Sequence, residues 1–212
     1  MANVAEDEMR AIVKRIARMD PAFNPIIKSS PLCTLGLKKY SRSHFETLIN
    51  SILSQQLATK AADTIIKRVN DLVDGKPKPE NIIELSAVKL REVGVSGAKA
   101  RSMHELAQAI IAGDIKFHKF PKLSNQEISA ELTKIWGIGR WTSEMFLMFH
   151  LGRLDIWPVG DLGMRRGWEK LHNMRSEVDP RKLDQIGEKF SGFQSVVAWY
   201  CWRATEGDSV NW

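Results

Sequence analysis

A chain of 212 residues, 43% of them hydrophobic, can bury a sizeable core in one globular unit, and its net charge of +6 suits an anionic partner without requiring one. Its two cysteines, Cys33 and Cys201, rule out a disulfide framework or a four-cysteine metal site and fit a reducing compartment. No apolar run reaches membrane-spanning length, and residues 1–10 are acidic and polar, unlike a secretion signal.

Over residues 6–19, Met9, Ile12, Val13, Ile16 and Met19 recur at spacings of three and four, which predicts an amphipathic helix ending before Asp20-Pro21. Prolines and Gly36 predict an irregular segment over 24–40, in which Lys38-Lys39 reads as a solvated charge pair. Phe45, Leu48, Ile49, Ile52 and Leu53, then Leu57, Ala61, Ala62, Ile65, Ile66 and Val69, predict two helices across 44–69, broken near Ser54-Gln55-Gln56-Leu57. Gly75-Lys76-Pro77-Lys78-Pro79 reads as a connector and 81–91 as a short helix. A glycine-punctuated turn over 93–99 then leads into a helix over 100–112, with Met103, Leu106, Ala107 and Ile110 on one face. There Ser96 and Lys99 either hold a phosphate or simply build the turn. Gly113-Asp114 closes that helix, 117–123 crosses with Pro121, and Ser124-Asn125-Gln126-Glu127 predicts a capping box before the helix carrying Leu132.

Leu132 and Ile135 lie on one helical face, and 141–150 is apolar enough for a buried helix, so Trp136-Gly137-Ile138-Gly139-Arg140 reads as a bend between helices. Glycines at 137 and 139 permit positive φ and close approach, with Ile138 turned into the core. Outward amides at a helix start attract an anion such as a phosphodiester; the other reading is a plain interhelical turn. Asp161, after Pro158-Val159-Gly160, falls at the N-cap of a helix over 162–171, where the dipole favours its ionised form. Phe190, Phe193, Val196, Val197, Trp199, Tyr200 and Trp202 make 187–203 mostly a buried closing helix. His150 and His172 have no partner at ligand spacing and are assigned to neither catalysis nor metal.

The run from Leu132 to Thr142, followed by Trp157-Pro158-Val159-Gly160-Asp161-Leu162-Gly163, resembles the helix-hairpin-helix DNA glycosylase superfamily, and within it the alkylpurine (3-methyladenine) branch. The likeness spans roughly 40–203. It implies an all-α, two-lobed fold with an interlobe cleft, one lobe from about 1–40 plus 151–212 and the other from about 41–150. It implies that Gly137, Ile138, Gly139, Arg140 and Thr142 grip the DNA backbone, with a monovalent cation possible at the hairpin carbonyls. By the same resemblance Asp161 is the catalytic carboxylate. Ser54-Gln55-Gln56-Leu57 carries the minor-groove wedge, either Gln56 or Leu57, with Gln55, Ala58, Lys60 and Arg165 as further DNA contacts. Trp141, Met145 and Phe193 would line the base pocket; on the residues alone, Trp141 either stacks on an alkylated base or anchors the hairpin in the core.

Relatives with lyase activity carry a lysine where this chain has Trp141, and some carry a cysteine cluster for an iron-sulfur centre. Their absence implies a monofunctional hydrolase with no cluster and no other cofactor. The implied partner is double-stranded DNA with a damaged or abasic nucleotide. A monomer is expected with no membrane association, located in the nucleus of a eukaryote or the nucleoid otherwise. The chain departs from the family at Ala58, at Gly160, where relatives carry a second acid, and at Gly192-Phe193-Gln194-Ser195, where they read Pro-aromatic-Arg-Ser or Thr. The last change implies lost rigidity, and together they leave as the alternative a homologue that binds abasic or extrahelical DNA with little or no glycosylase activity.

Overall fold

The computed structural model describes residues 4–37 and 42–206, and the regular structure among them is entirely helical. Lys38-Lys39 lies outside the described residues. No helix among the described residues is long and apolar enough to cross a membrane. The chain sorts into two compact units, one discontinuous (Met1–Lys39 with Leu147–Trp212) and one continuous (Tyr40–Phe146).

The discontinuous unit holds α1 (Glu6–Met19), α2 (Asn24–Ser29), α10 (Leu162–Leu171), α11 (Pro180–Gly187) and α12 (Gln194–Glu206). In α1, Glu6, Asp7 and Glu8 in the first turn and Arg18 in the last complement the helix dipole, while Met9, Val13 and Ile16 are buried. Helix α2 stands where an irregular segment was expected: Pro25 sits in the first turn, where its missing N–H breaks no hydrogen bond. Helix α11 had no counterpart in the sequence reading, although Asp179-Pro180 supplies its cap and first residue.

Helices α10 and α12 meet backbone to backbone: a Cβ on Gly167 would lie 1.8 Å from Cys201 O, so only glycine lets them approach this closely. That crossing fixes what α12 can present to the start of α10. Around it, Phe23, Trp157, Trp168 and Phe190 pack at tilted or edge-on ring angles. His172 does have a partner, in the fold rather than in a site. It stacks on Trp168 at 4.0 Å and reaches Asp20 Oδ2 at 3.1 Å, to which Lys189 Nζ also donates at 3.0 Å.

The continuous unit runs through α3 (His44–Ser54), α4 (Thr59–Leu72), α5 (Pro79–Ile83), α6 (Ala87–Glu92), α7 (Gly97–Ile111), α8 (Asn125–Leu132) and α9 (Arg140–Met145). The single helix expected over 81–91 is two, because Ser86 caps a new helix through Lys89 N. The capping box at Ser124 and Glu127 forms as expected. Phe117–Lys122 is a 3₁₀ turn that brings Phe117 and Phe120 against His44, with Phe146 closing the cluster. Burial there lowers the pKa of His44. The core comprises Leu48, Ile49, Ile52, Met103, Leu106, Ile128 and Leu132 from α3, α7 and α8.

Candidate nucleic-acid interface and carboxylate site

The bend before α9 is closed by Ile138 N donating to Ile135 O at 3.0 Å, with Ile138 itself 2% exposed, turned into the core as expected. Its two glycines do different work. Gly137 has φ +83, and a Cβ there would lie 1.9 Å from Ser102 Oγ, so backbone and packing both demand glycine. Gly139, at φ −88 and ψ 176, is in extended backbone open to any residue, and a Cβ on it would meet nothing within 4 Å. Neither strain nor packing explains that glycine. What it does is leave α9 without a side-chain cap, whereas Ser43, Ser86, Ser96 and Ser124 cap α3, α6, α7 and α8. The first turn of α9 thus takes no hydrogen bond from a capping side chain at Gly139.

Around this bend stand large exposed side chains. Trp141 is 47% exposed, which excludes the buried anchoring role, and Trp136 is 40% exposed with the Arg101 guanidinium 4.4 Å over its ring. Arg140 Nε donates to Glu144 Oε1 at 2.7 Å, and Glu144 is buried, so this guanidinium is held along the helix. Thr142 is buried and Met145 half-buried.

The second feature of this unit is the turn Ser54–Leu57, closed by Leu57 N donating to Ser54 O at 3.2 Å. Gln55 at φ −52, ψ 131 and Gln56 at φ 56 give it the form of a type II turn, with glutamine where glycine is usual. Gln56 is exposed, Leu57 is 39% exposed, Ala58 starts α4 without a side-chain cap, and Lys60 is exposed. Gln55 is half-buried and turned toward the bend: its Nε2 donates to Gly137 O at 3.0 Å and Thr142 Oγ1 at 3.2 Å. Lys99 likewise points inward, Nζ donating to Leu53 O at 2.8 Å, while Ser96 Oγ accepts from Lys99 N as an ordinary cap.

In the discontinuous unit, Asp161 caps α10 as the sequence indicates. One carboxylate oxygen, Oδ1, accepts from Met164 N and from Trp202 Nε1, each at 2.7 Å. The helix amide orients the group along the axis and the indole fixes its rotation, so the carboxylate is held in one pose. Trp202, 5% exposed and packed against Phe149 at 5.7 Å, was read only as part of a closing helix. No local signal connects it to Asp161; the Gly167 crossing does. Arg165 is half-buried and Arg166 exposed on the same helix.

Phe193 is 4% exposed and the Arg15 guanidinium sits 4.8 Å over its ring, so a base can reach that face only by displacing Arg15. The rigidity expected to be lost around it is supplied by other bonds. Gly192 N donates to Asp155 Oδ1 at 2.6 Å, Gln194 Nε2 to Gly187 O at 3.0 Å and Ser195 Oγ to Arg153 O at 2.8 Å.

Described residues whose regular structure is all helical, with a Gly-Ile-Gly bend at one helix start and an aspartate held at another, have the features of a helix-hairpin-helix protein. It belongs to the HhH-GPD superfamily of base excision DNA repair proteins, whose family model matches residues 49–191. The chain is 36% identical over 165 residues to DNA-3-methyladenine glycosylase 1 of Schizosaccharomyces pombe, covering 76% of this chain and 72% of that one. Among solved structures it superposes on a DNA-3-methyladenine glycosidase from Bacillus halodurans with TM-score 0.81 and 34% identity, over 92% of this chain and 89% of the other. On the Schizosaccharomyces pombe 3-methyladenine DNA glycosylase in complex with abasic DNA, the TM-score is 0.83 with 30% identity, over 95% and 100% of the two chains.

Proposed function

We propose that this protein is a monofunctional DNA glycosylase that flips an alkylated purine such as 3-methyladenine out of the duplex and hydrolyses its N-glycosidic bond. The observation that carries the reading is the pose of Asp161, its Oδ1 held by Met164 N and Trp202 Nε1, in a chain similar to proteins named for that activity. As the C1′–N bond breaks, the base leaves with the electron pair and so neutralises its own positive charge. The sugar becomes oxocarbenium-like, and the anionic carboxylate stabilises it, then accepts the proton of the water that attacks C1′. A cationic leaving group needs no separate acid, so one carboxylate suffices. Trp141 offers the base an aromatic face, and where related lyases have an amine this position cannot form a Schiff base.

The start of α9, which no side chain at Gly139 caps, binds a backbone phosphate through its amides, and Gln56 and Leu57 fill the space that the extruded nucleotide leaves. Lys60, Arg140 and Arg165 add electrostatic grip, each removed phosphate contact taking about one unit from the salt slope. A monovalent cation at the bend would be held by backbone carbonyls, of which Gly137 O already accepts from Gln55. The protein acts as a monomer on double-stranded DNA with no organic cofactor, in the nucleus of a eukaryote or the nucleoid otherwise. Base release from methylated duplex, measured beside Asp161→Asn, tests the reading. Release by the wild type at least a hundredfold above the variant is expected. Equal release would leave a protein that binds abasic DNA without excising bases.

A further inference from the structure

The turn Ser54–Leu57 is unusual in what it must be made to do. Gln56 at φ 56 lies in the left-handed region, which costs a non-glycine residue on the order of 1 kcal/mol. Leu57 beside it is 39% exposed. Two side chains restrain the turn: Gln55 reaches out of it to the bend, and Lys99 reaches in from α7 to the backbone just before it. Gln55 Nε2 spans 82 residues to Gly137 O and 87 to Thr142 Oγ1. A carbonyl oxygen only accepts, so the nitrogen end of the amide faces the bend, and both of its hydrogens are taken up there. Lys99 Nζ meets Leu53 O at 2.8 Å, at the C-terminal end of α3, where helical carbonyls lack intrahelical partners and the dipole favours a cation. Burial lowers the pKa of this lysine, in keeping with a side chain turned inward from solvent.

We infer that Gln55 and Lys99 are positioning residues that fasten the Gln56-Leu57 turn to the phosphate-binding bend, so that gripping the strand and entering the base stack are one rigid event. This rests on the proposed function and reassigns Gln55 from DNA contact to internal tie. A turn ordered before the encounter spares the complex the cost of ordering it, so the tie acts on the step that distinguishes a gapped stack from an intact one.

The test measures affinity for a duplex with a central abasic analogue and for the same duplex intact. The proteins compared are wild type, Gln55→Leu, Lys99→Met, Lys99→Arg, Leu57→Ala and the Gln55→Leu/Leu57→Ala double variant. Gln55→Leu is expected to bind intact duplex within about twofold of wild type while losing most of the abasic preference, and Leu57→Ala added to it to cost little more. Lys99→Met is expected to lower the preference with the salt slope unchanged, since a phosphate contact would take about one unit from it, and Lys99→Arg to restore it. The inference is overturned if Gln55→Leu weakens both duplexes equally with the full Leu57→Ala penalty intact, or leaves the preference untouched. Should Gln55→Leu fail to fold, the lysine pair carries the same decision. A wild type with no abasic preference also overturns the inference, whereas a failure to release base from methylated duplex removes the proposed function, so the two failures are distinguishable.

Discussion

Two helix starts in this molecule use the same physics in opposite ways. Helix α9 begins at Gly139 with no side-chain cap, and α10 begins at Asp161, whose Oδ1 takes the amide of Met164. Both present amides and the positive end of a dipole. At α9 no side chain of the N-cap residue takes up that potential; at α10 it is spent on the protein's own carboxylate, which is thereby kept in one pose. A helix start can therefore bind or aim, according to whether its first residue has a side chain. The aim is completed from a distance by the indole of Trp202.

The comparison breaks most readily at the glycines. Gly137→Ala forces a side chain onto φ +83 and into Ser102, so a loss of about 2 kcal/mol or more in unfolding free energy is expected, with DNA binding lost as well. Gly139→Ala meets no such obstacle, and its melting temperature should match wild type while duplex affinity falls about tenfold, because a methyl group now stands before the amides. If the two variants lose stability alike, Gly139 is a folding residue and the contrast between the helix starts fails. At the other start, Trp202→Phe keeps an aromatic ring but removes the indole donor to Asp161 Oδ1. Hydrogen bonds to charged groups contribute about 1.5–3 kcal/mol, so base release should slow by about ten- to a hundredfold with duplex affinity unchanged. Unaltered release would show that the helix amide alone aims the carboxylate. A smaller effect is expected at Gln56→Gly, which relieves the left-handed strain and should stabilise the fold by up to about 1 kcal/mol while weakening abasic-duplex binding. A gain in both would remove Gln56 from the interface.

What could be read from sequence was local. The bend, the Ser124 capping box and the Asp161 cap are each written within a few residues, because turn geometry and capping depend on neighbours. The ties that turn these motifs into a site were invisible. Trp202 reaches Asp161 across 41 residues and Gln55 reaches Gly137 across 82, and both depend on how helices cross. Helix α2 is hidden because a proline reads as a breaker unless it is known to stand in a first turn, as Pro25 does, and the α5/α6 break because a lone serine such as Ser86 does not announce a cap. Trp141 could be sorted from a core tryptophan only by its exposure, which periodicity in an apolar run does not reveal.

The two units should also part company in acid. His44 is packed against Phe117, Phe120 and Phe146, and burial lowers its pKa below the ordinary 6.5. The unfolded chain therefore takes up the proton first, and the stability tied to neutral His44 is present above 6.5 and lost as pH falls from there through the folded value. Asp20, in the other unit, is raised by burial but lowered further by its bonds to Lys189 and His172, so its folded pKa lies below 3.8. Its contribution is present above 3.8 and lost only as pH falls through that lower folded value. Amide-exchange protection factors should accordingly decline in α3 between pH 7 and 5 while those in α10 hold, and His44→Phe should flatten the decline in α3. Equal softening of α3 and α10, or a decline that survives His44→Phe, would mean that the aromatic cluster does not govern the acid response of the unit that carries the bend.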